Sequence, residues 1–473
     1  MGLQHKAISG GIWNGLDSLG RQGLQFVVQL LLARLLVPAD FGLVAVALSL
    51  NQFTNVLVGA GLVDAVIQKK DLGERDLSTA FWMSLGASGL SYLCLFCLAP
   101  FLADVFAMTE LTWVIRVTAI MLVLDAVNNI QLSNLYRAMA FRQVFLINLP
   151  ALLLSGAVGV GLALVGYGVW ALVWHYVAVS FWRFIFALAA TRWWPAFSFD
   201  LKVMRSFLRF SLGLIGLQFI DQLGRQIYVF VIGSVYTPAQ LGYYNRAIAL
   251  QQVSTFSVSA VVARVGLPVL SRLQEDYEQF LYALRKAMRL MMEVMTPILV
   301  GVAATSEALV PFLFGSQWEK VSPMLSALCV GGFIYVVGIL NLQAIVAKGQ
   351  TGLLFKVGLV TKAVQFIVLF LTYCYGLAAI VLGQVGSSLL GAVLSRVVTK
   401  RIVGYGHSAF LQDVSRPFLA AALMYAVVAS MEGPLVLEIV VGAMVYGCYA
   451  WVMRFDSVQV LRSQLKALRV RLS

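Results

Sequence analysis

The chain has 473 residues, 60% of them hydrophobic and only 12% charged, about half the charged share of a soluble domain. That composition excludes a soluble enzyme and requires an integral membrane protein. A formal net charge of +13 would suggest nucleic acid in a soluble protein, so here the placement of Lys and Arg decides its meaning.

Windows of about nineteen mostly apolar residues predict fourteen membrane-spanning helices. They lie near 9–36, 41–68, 79–103, 112–135, 144–165, 168–191, 207–235, 240–267, 286–305, 322–346, 353–374, 376–398, 413–431 and 434–453. The opening residues MGLQHKAISGGIW lack a short apolar core and a small-residue cleavage site, so the first span is expected to be retained. With a cytoplasmic amino terminus, every Lys and Arg between the spans or at their ends except Arg34 and Lys320 falls on the cytoplasmic side. This positive-inside bias puts both termini in the cytoplasm and explains the net charge without nucleic acid.

The first span holds DSLGRQ (Asp17 to Gln22) and the seventh a near-identical DQLGRQ (Asp221 to Gln226). Each leads to a proline turn, VPADFG (Val37 to Gly42) and TPAQLG (Thr237 to Gly242). A third landmark follows in the same order, with Gly168 of GYGVWALV matching Gly376 of CYGLAAIV. Three ordered matches indicate duplication of a six-helix unit, and an even number of spans makes the repeat parallel, about an axis along the membrane normal. The expected organisation is an N-terminal lobe (1–191), an interfacial linker (192–206), a C-terminal lobe (207–402), two appended helices (403–453) and a cytoplasmic amphipathic tail (454–473). The linker earns its name from paired Trp193 and Trp194 followed by a basic amphipathic pattern.

A charge inside a greasy helix costs about 2.5–3.5 kcal/mol on insertion scales and is a functional-site hypothesis by default. Ten such residues occur: Asp17, Arg21, Arg116, Asp125, Arg183, Asp221, Arg225, Arg246, Glu293 and Lys362. Asp17 with Arg21, and Asp221 with Arg225, form i, i+4 pairs in both repeats. They are either cavity groups or self-neutralising packing pairs, and a leucine pair would pack as well without the desolvation cost. Bases outnumber acids, so a cavity gathering them suits an anion such as pyrophosphate, for which Arg supplies a planar fork of donors. The expected anion ligands are Arg21 and Arg225, then Arg246, Arg116 and Lys362. Asp17, Asp221 and Asp125 are the expected charge partners or coupling groups. Arg246 stands near a helix end and can snorkel instead, and a neutral Lys362 is the plain alternative there. Asp125 begins a polar stripe with Asn128, Asn129 and Gln131, which is cavity lining or interhelical glue. Arg183 and Glu293, near span ends or unpaired by spacing, are left out.

Enzymatic and metal chemistry find little support. Gly-Lys never occurs, so the phosphate-binding loop of an ATPase is absent. His5, His175 and His407 are far apart, and Cys94-x-x-Cys97 has no further ligands nearby and reads as apolar packing. No metal and no tightly bound cofactor is expected, and loops this short leave no room for a catalytic domain.

Several of these stretches, ISGGIWNGLDSLGRQGLQFVVQLLLARLLVPADFGLVAVALSL, GLVDAVIQKKDLGERDLSTAFWMSLG, GYGVWALV, LGYYNRA and LFGSQWEKVSPMLSALCVGG, resemble the polysaccharide-transport branch of the multidrug/oligosaccharidyl-lipid/polysaccharide exporter superfamily, colanic-acid-type exporters in particular. The resemblance covers nearly the whole chain and rests on the order of many motifs. It implies an all-α bundle of two six-helix lobes around a cationic cavity, in the bacterial inner membrane, working as a monomer. The implied activity is to flip undecaprenyl-pyrophosphate-linked oligosaccharide to the periplasmic leaflet beside a polymerase and a chain-length regulator, with Arg21 and its repeat mate Arg225 on the pyrophosphate. A proton or sodium gradient is the implied drive. The rivals are a cation-coupled multidrug exporter, separable by drug susceptibility, and a lipid-linked peptidoglycan precursor flippase, which would be essential for growth.

Overall fold

A computed structural model describes residues 3–59, 62–69, 72–431 and 433–459. Where the structure describes them, the expected spans fall largely on helix. In the first half these are α1 (Leu3–Leu35), α2 (Pro38–Gly59), α3 (Leu62–Gln68), α4 (Glu74–Val105), α5 (Leu111–Thr118), α6 (Ile120–Arg137), α7 (Phe141–Leu164) and α8 (Val169–Thr191). The second half continues with α9 (Leu201–Val235), α10 (Pro238–Arg272), α11 (Tyr277–Ala304), α12 (Ser306–Phe314), α13 (Val321–Ala347), α14 (Thr351–Thr372), α15 (Leu377–Val403), α16 (His407–Ala429) and α17 (Leu435–Val452). The protein is thus an all-α membrane bundle, and the fourth span is broken at Ala119 into α5 and α6. Among the described residues, nine helices are both long and apolar enough to cross a membrane. The expected fourteen are not reached on that measure: α1 and α9, for example, interrupt their apolar runs with the Asp–Arg pairs.

The chain divides into two compact units, Met1–Asn245 and Arg246–Ser473. In the first, α7 packs between α1 and α8, α6 lies against α4 and α8, and α2 packs on α9. In the second, α13 lies between α11 and α15, α14 packs on α15, and α16 joins α11 to α17. Helix α9, which the duplication assigns to the second six-helix set, packs within the first unit.

The repeated turns are built alike. Pro38 and Pro238 open α2 and α10, where a missing N–H costs nothing. The Val37 N–H donates to Asp40 Oδ2 at 3.4 Å and the Thr237 N–H to Gln240 Oε1 at 3.1 Å, the reach-back half of a capping box. The two turns also meet reciprocally inside the first unit. A Cβ on Gly42 would overlap the Pro238 carbonyl oxygen, and one on Gly242 would overlap that of Pro38, so each copy needs its glycine for the other's backbone. Gly168 and Gly376 likewise match, with φ of +54° and +101° just before α8 and α15.

The segment expected as one interfacial linker is divided by the structure. Residues 192–200 are non-helical and strapped to the start of α4. Ser78 Oγ accepts the Ala196 N–H at 3.0 Å, Thr79 Oγ1 accepts the Asp200 N–H at 3.2 Å, and Trp82 Nε1 donates to the Ala196 carbonyl at 2.9 Å. Trp194 and Phe197 remain exposed, as aromatic side chains at a membrane interface do. Asp200 then caps α9, accepting the Lys202 and Val203 N–H groups. Lys202, Arg205 and Arg209 therefore belong to the same continuous 35-residue helix as Asp221 and Arg225. At about 1.5 Å per residue that helix exceeds an approximately 30 Å hydrocarbon layer, so its basic first turns can stand outside it. Residues 460–473, most of the expected tail, lie outside the described residues.

Candidate functional site

In α1 the first charge pair closes as its spacing requires, with Arg21 Nε 3.1 Å from Asp17 Oδ2. The two side chains differ sharply in exposure, 37% for Arg21 and 4% for Asp17. The acid is buried because α7 covers it, and Asn148 Nδ2 of that helix donates to Asp17 Oδ1 at 3.1 Å. Asp17 is thus fixed from two helices, whereas among the described residues Arg21 is held by its ion pair, with its Nε not aligned for a hydrogen bond.

Two further charges of this unit, Asp125 and Arg183, lie on α6 and α8, which pack together. Asn128 Nδ2 of α6 donates to the Ser180 carbonyl of α8 at 3.1 Å. Among the described residues Arg183 Nε and Asn128 Oδ1 are enclosed without a hydrogen-bond partner. Of the polar stripe after Asp125, Asn128 and Gln131 are buried, and Thr191 Oγ1 donates to Gln131 Oε1 at 3.4 Å. Part of that stripe is therefore interhelical glue.

The repeat copy of the first pair, on α9, also closes, Arg225 Nη1 meeting Asp221 Oδ2. Its side chains are far more open, 59% for Arg225 and 48% for Asp221. Arg225 Nε and Nη2 reach Gln222 Oε1 at 3.1 and 3.0 Å. Gln226 and Gln222 in turn donate to Gln52 Oε1 of α2 at 2.9 and 3.4 Å. Here neutral amides carry the contact to the neighbouring helix and leave the ion pair at the edge.

The remaining expected anion ligands lie on other helices. Arg116 donates from Nε to the Phe96 carbonyl at 3.3 Å and lies over the Phe96 and Trp113 rings at 4.4 and 5.0 Å, a cation–π seat on α4 and α5. Arg246 is buried at the start of the second unit and Lys362 is half-buried on α14. Among the described residues no group of three or more His, Cys, Asp or Glu stands as a metal site.

The second unit concentrates its charges in a network that sequence spacing did not reveal. Asp413 of α16, nearly fully buried, receives Arg285 at 2.8 and 3.0 Å, Arg289 at 3.0 Å and the Tyr405 hydroxyl at 2.7 Å. Burial, then the hydrogen bond to Asp413, pushes the Tyr405 phenol above its ordinary range, so it remains a donor. Arg289 also binds Asp456 at 2.8 Å. Glu293, set aside on spacing, accepts the Asp456 and Ser457 N–H groups at 3.1 and 2.7 Å. These bonds fasten α16 and the segment after α17 to α11. They are saturated with partners, as an architectural clamp requires.

The clamp was missed because its partners are far apart along the chain and no local spacing signals it.

A family model described as "Polysaccharide biosynthesis protein" matches residues 31–323. The succinoglycan biosynthesis transport protein ExoT of Rhizobium meliloti (strain 1021) is 27% identical, over 88% of this chain and 84% of its own length. The lipopolysaccharide biosynthesis protein WzxC of Escherichia coli (strain K12) is 24% identical, over 88% and 86%. Among solved structures, the lipid II flippase MurJ in an inward closed conformation superimposes with a TM-score of 0.75 at 15% identity, covering 94% of this chain and 100% of that one. An inward-facing multidrug transporter of the MATE family, of the MOP superfamily, gives 0.58 at 16% identity, over 85% and 95%. At these identities the structures speak to fold.

Proposed function

Because the chain belongs to the polysaccharide biosynthesis protein family, we propose that it is a flippase, and not an enzyme, carrying lipid-linked oligosaccharide across the bacterial inner membrane for exopolysaccharide, capsule or O-antigen assembly. The carrier lipid in this reading is undecaprenyl pyrophosphate, taken up at the basic, cytoplasmic side and released at the periplasmic leaflet. The observation that carries the reading is the asymmetry of the α1 pair. Asp17 is buried and held by Asn148, while Arg21 is accessible and held by one carboxylate. An anion can replace Asp17 as the partner of Arg21 without dislodging the acid from its helix.

The physical steps follow from charge. With the site empty, Asp17 neutralises Arg21 and limits the cost of burying it. An arriving diphosphate offers more acceptor oxygens than one carboxylate, so Arg21 turns toward it while its apolar stem stays packed. The polyprenyl tail remains in the bilayer, and only the headgroup and sugars traverse the protein by alternating access of two six-helix lobes. Arg225, the open member of the repeat, is the second ligand in this scheme, with Arg246, Arg116 and Lys362 as weaker ones. Protonation of Asp17, Asp221 or Asp125, or sodium binding there, is the step through which an ion gradient would drive return of the empty carrier. A polymerase and a chain-length regulator acting on the product would be its neighbours.

Deletion of the gene in its host tests the assignment. Lipid-linked repeat units should accumulate on the cytoplasmic leaflet while surface polymer disappears. Normal polymer with no accumulation contradicts it.

A further inference from the structure

We propose that residues 192–209 form a docking surface for anionic phospholipids of the cytoplasmic leaflet, holding the start of α9 at the plane of their phosphates. The inner side of this segment is firmly seated. Trp193 meets Phe81 edge-on with ring centroids 6.1 Å apart, and Phe207 of α9 is buried in one cluster with Leu77, Ala80, Phe81 and Ile130. Together with the hydrogen bonds to Ser78, Thr79 and Trp82, these contacts hold the segment on α4. Its outer side is uncovered. Phe197 stacks on Trp82 at 5.3 Å yet is 96% exposed, Trp194 is 70% exposed, and Phe199 and Leu201 are open as well. Rings held out on a fixed backbone are costly in water and suited to the headgroup level of a bilayer.

The bases follow the same outline. Arg192, Lys202, Arg205 and Arg209 are exposed, and among the described residues none of the four forms an ion pair. Lys202, Arg205 and Arg209 stand at i, i+3 and i+7 on one face of α9, bordered by exposed Leu201 and Leu208, while Phe207 is buried on the opposite face. The one acid of the segment, Asp200, is engaged by the Lys202 and Val203 N–H groups. An apolar edge beside a basic one meets acyl chains and phosphates together. Residues 460–473 of the same chain, with four bases and no acid, and a second copy, bringing the same bases, are both repelled. The leaflet is the complementary occupant, and each base beside it raises local anionic lipid about fivefold. Because α9 runs unbroken from these bases to Asp221 and Arg225, lipids held there set the depth of that pair in the bilayer.

The full-length protein is reconstituted in phosphatidylcholine nanodiscs containing increasing fractions of brominated phosphatidylglycerol or brominated phosphatidylcholine. Quenching of the tryptophan fluorescence that disappears in Trp194→Phe reports the lipid at this surface. Wild type should be quenched by phosphatidylglycerol with a preference of at least about tenfold, weakening as salt is raised. The triple variant Lys202→Gln/Arg205→Gln/Arg209→Gln should bring that preference to within about twofold of none, with thermal unfolding unchanged because the three side chains are exposed. Arg205→Lys/Arg209→Lys should keep it, since charge and not a planar fork attracts the leaflet. Should the triple variant fold poorly, Arg205→Gln alone serves, with a loss of about fivefold expected. Equal quenching of wild type by the two lipids, or a preference that survives the triple variant, overturns the inference. Tight capture of soluble polyglutamate without preferential quenching by phosphatidylglycerol overturns it in favour of an acidic protein partner. The cargo takes no part in the measurement, so the flippase reading stands or falls separately.

Discussion

The motif Asp-x-Leu-Gly-Arg-Gln occurs on α1 and on α9, and the two copies have come to different ends. Both close the same i, i+4 ion pair, yet Asp17 is 4% exposed and fastened by Asn148, while Asp221 is 48% exposed and Gln52 engages its glutamine neighbours. The difference lies in what packs alongside. Helix α7 brings a side-chain amide to the acid of α1, and α2 brings one to the glutamines of α9. A duplicated local sequence thus supplies the pair twice, and the neighbouring helix decides whether the pair is a buried anchor or an open one. The proline turns show the opposite outcome, since Gly42 and Gly242 meet each other's turns in the same way.

This comparison can be broken by substitution. The largest effect on stability is expected from Asp17→Ala, which leaves Asn148 and Arg21 without their acceptor. Removing one partner of a buried pair costs about 3–5 kcal/mol, discounted here to about 2–3 because Arg21 is partly solvated, and thermal unfolding in detergent would register it. Gly42→Ala and Gly242→Ala should each destabilise by about 1–3 kcal/mol, the range for overpacking, and by matching amounts. Unequal losses would show that the turns are less alike than their geometry. Asn148→Leu should cost about 1–2 kcal/mol by stripping Asp17 of its neutral donor. Asp221→Ala is the smallest, under about 1 kcal/mol, as for exposed ion pairs. A loss at Asp221 equal to that at Asp17 would erase the distinction drawn between the copies.

What was legible in the sequence follows the range of each interaction. The pairs at 17/21 and 221/225, the proline turns at 38 and 238 and the glycines at 168 and 376 are local, and all are present where their spacing put them. The all-α membrane fold was equally open to reading, because apolar runs of this length admit little else. Arg285 with Asp413 joins residues far apart in the chain, and no local pattern announces such a meeting. The linker shows an intermediate case. Its aromatic and basic composition was plain, but the helix start at Leu201 depended on Asp200 as a cap and on hydrogen bonds to Ser78 and Thr79.

The central claim is that Arg21 meets the anionic headgroup of a lipid-linked sugar. It is tested most directly by measuring surface polymer in a deletion strain carrying Arg21→Ala at wild-type protein abundance, with the same strain carrying the wild-type gene as the control. The account predicts loss of polymer with Arg21→Ala and normal export with the wild-type gene. Wild-type export by the Arg21→Ala protein would contradict it.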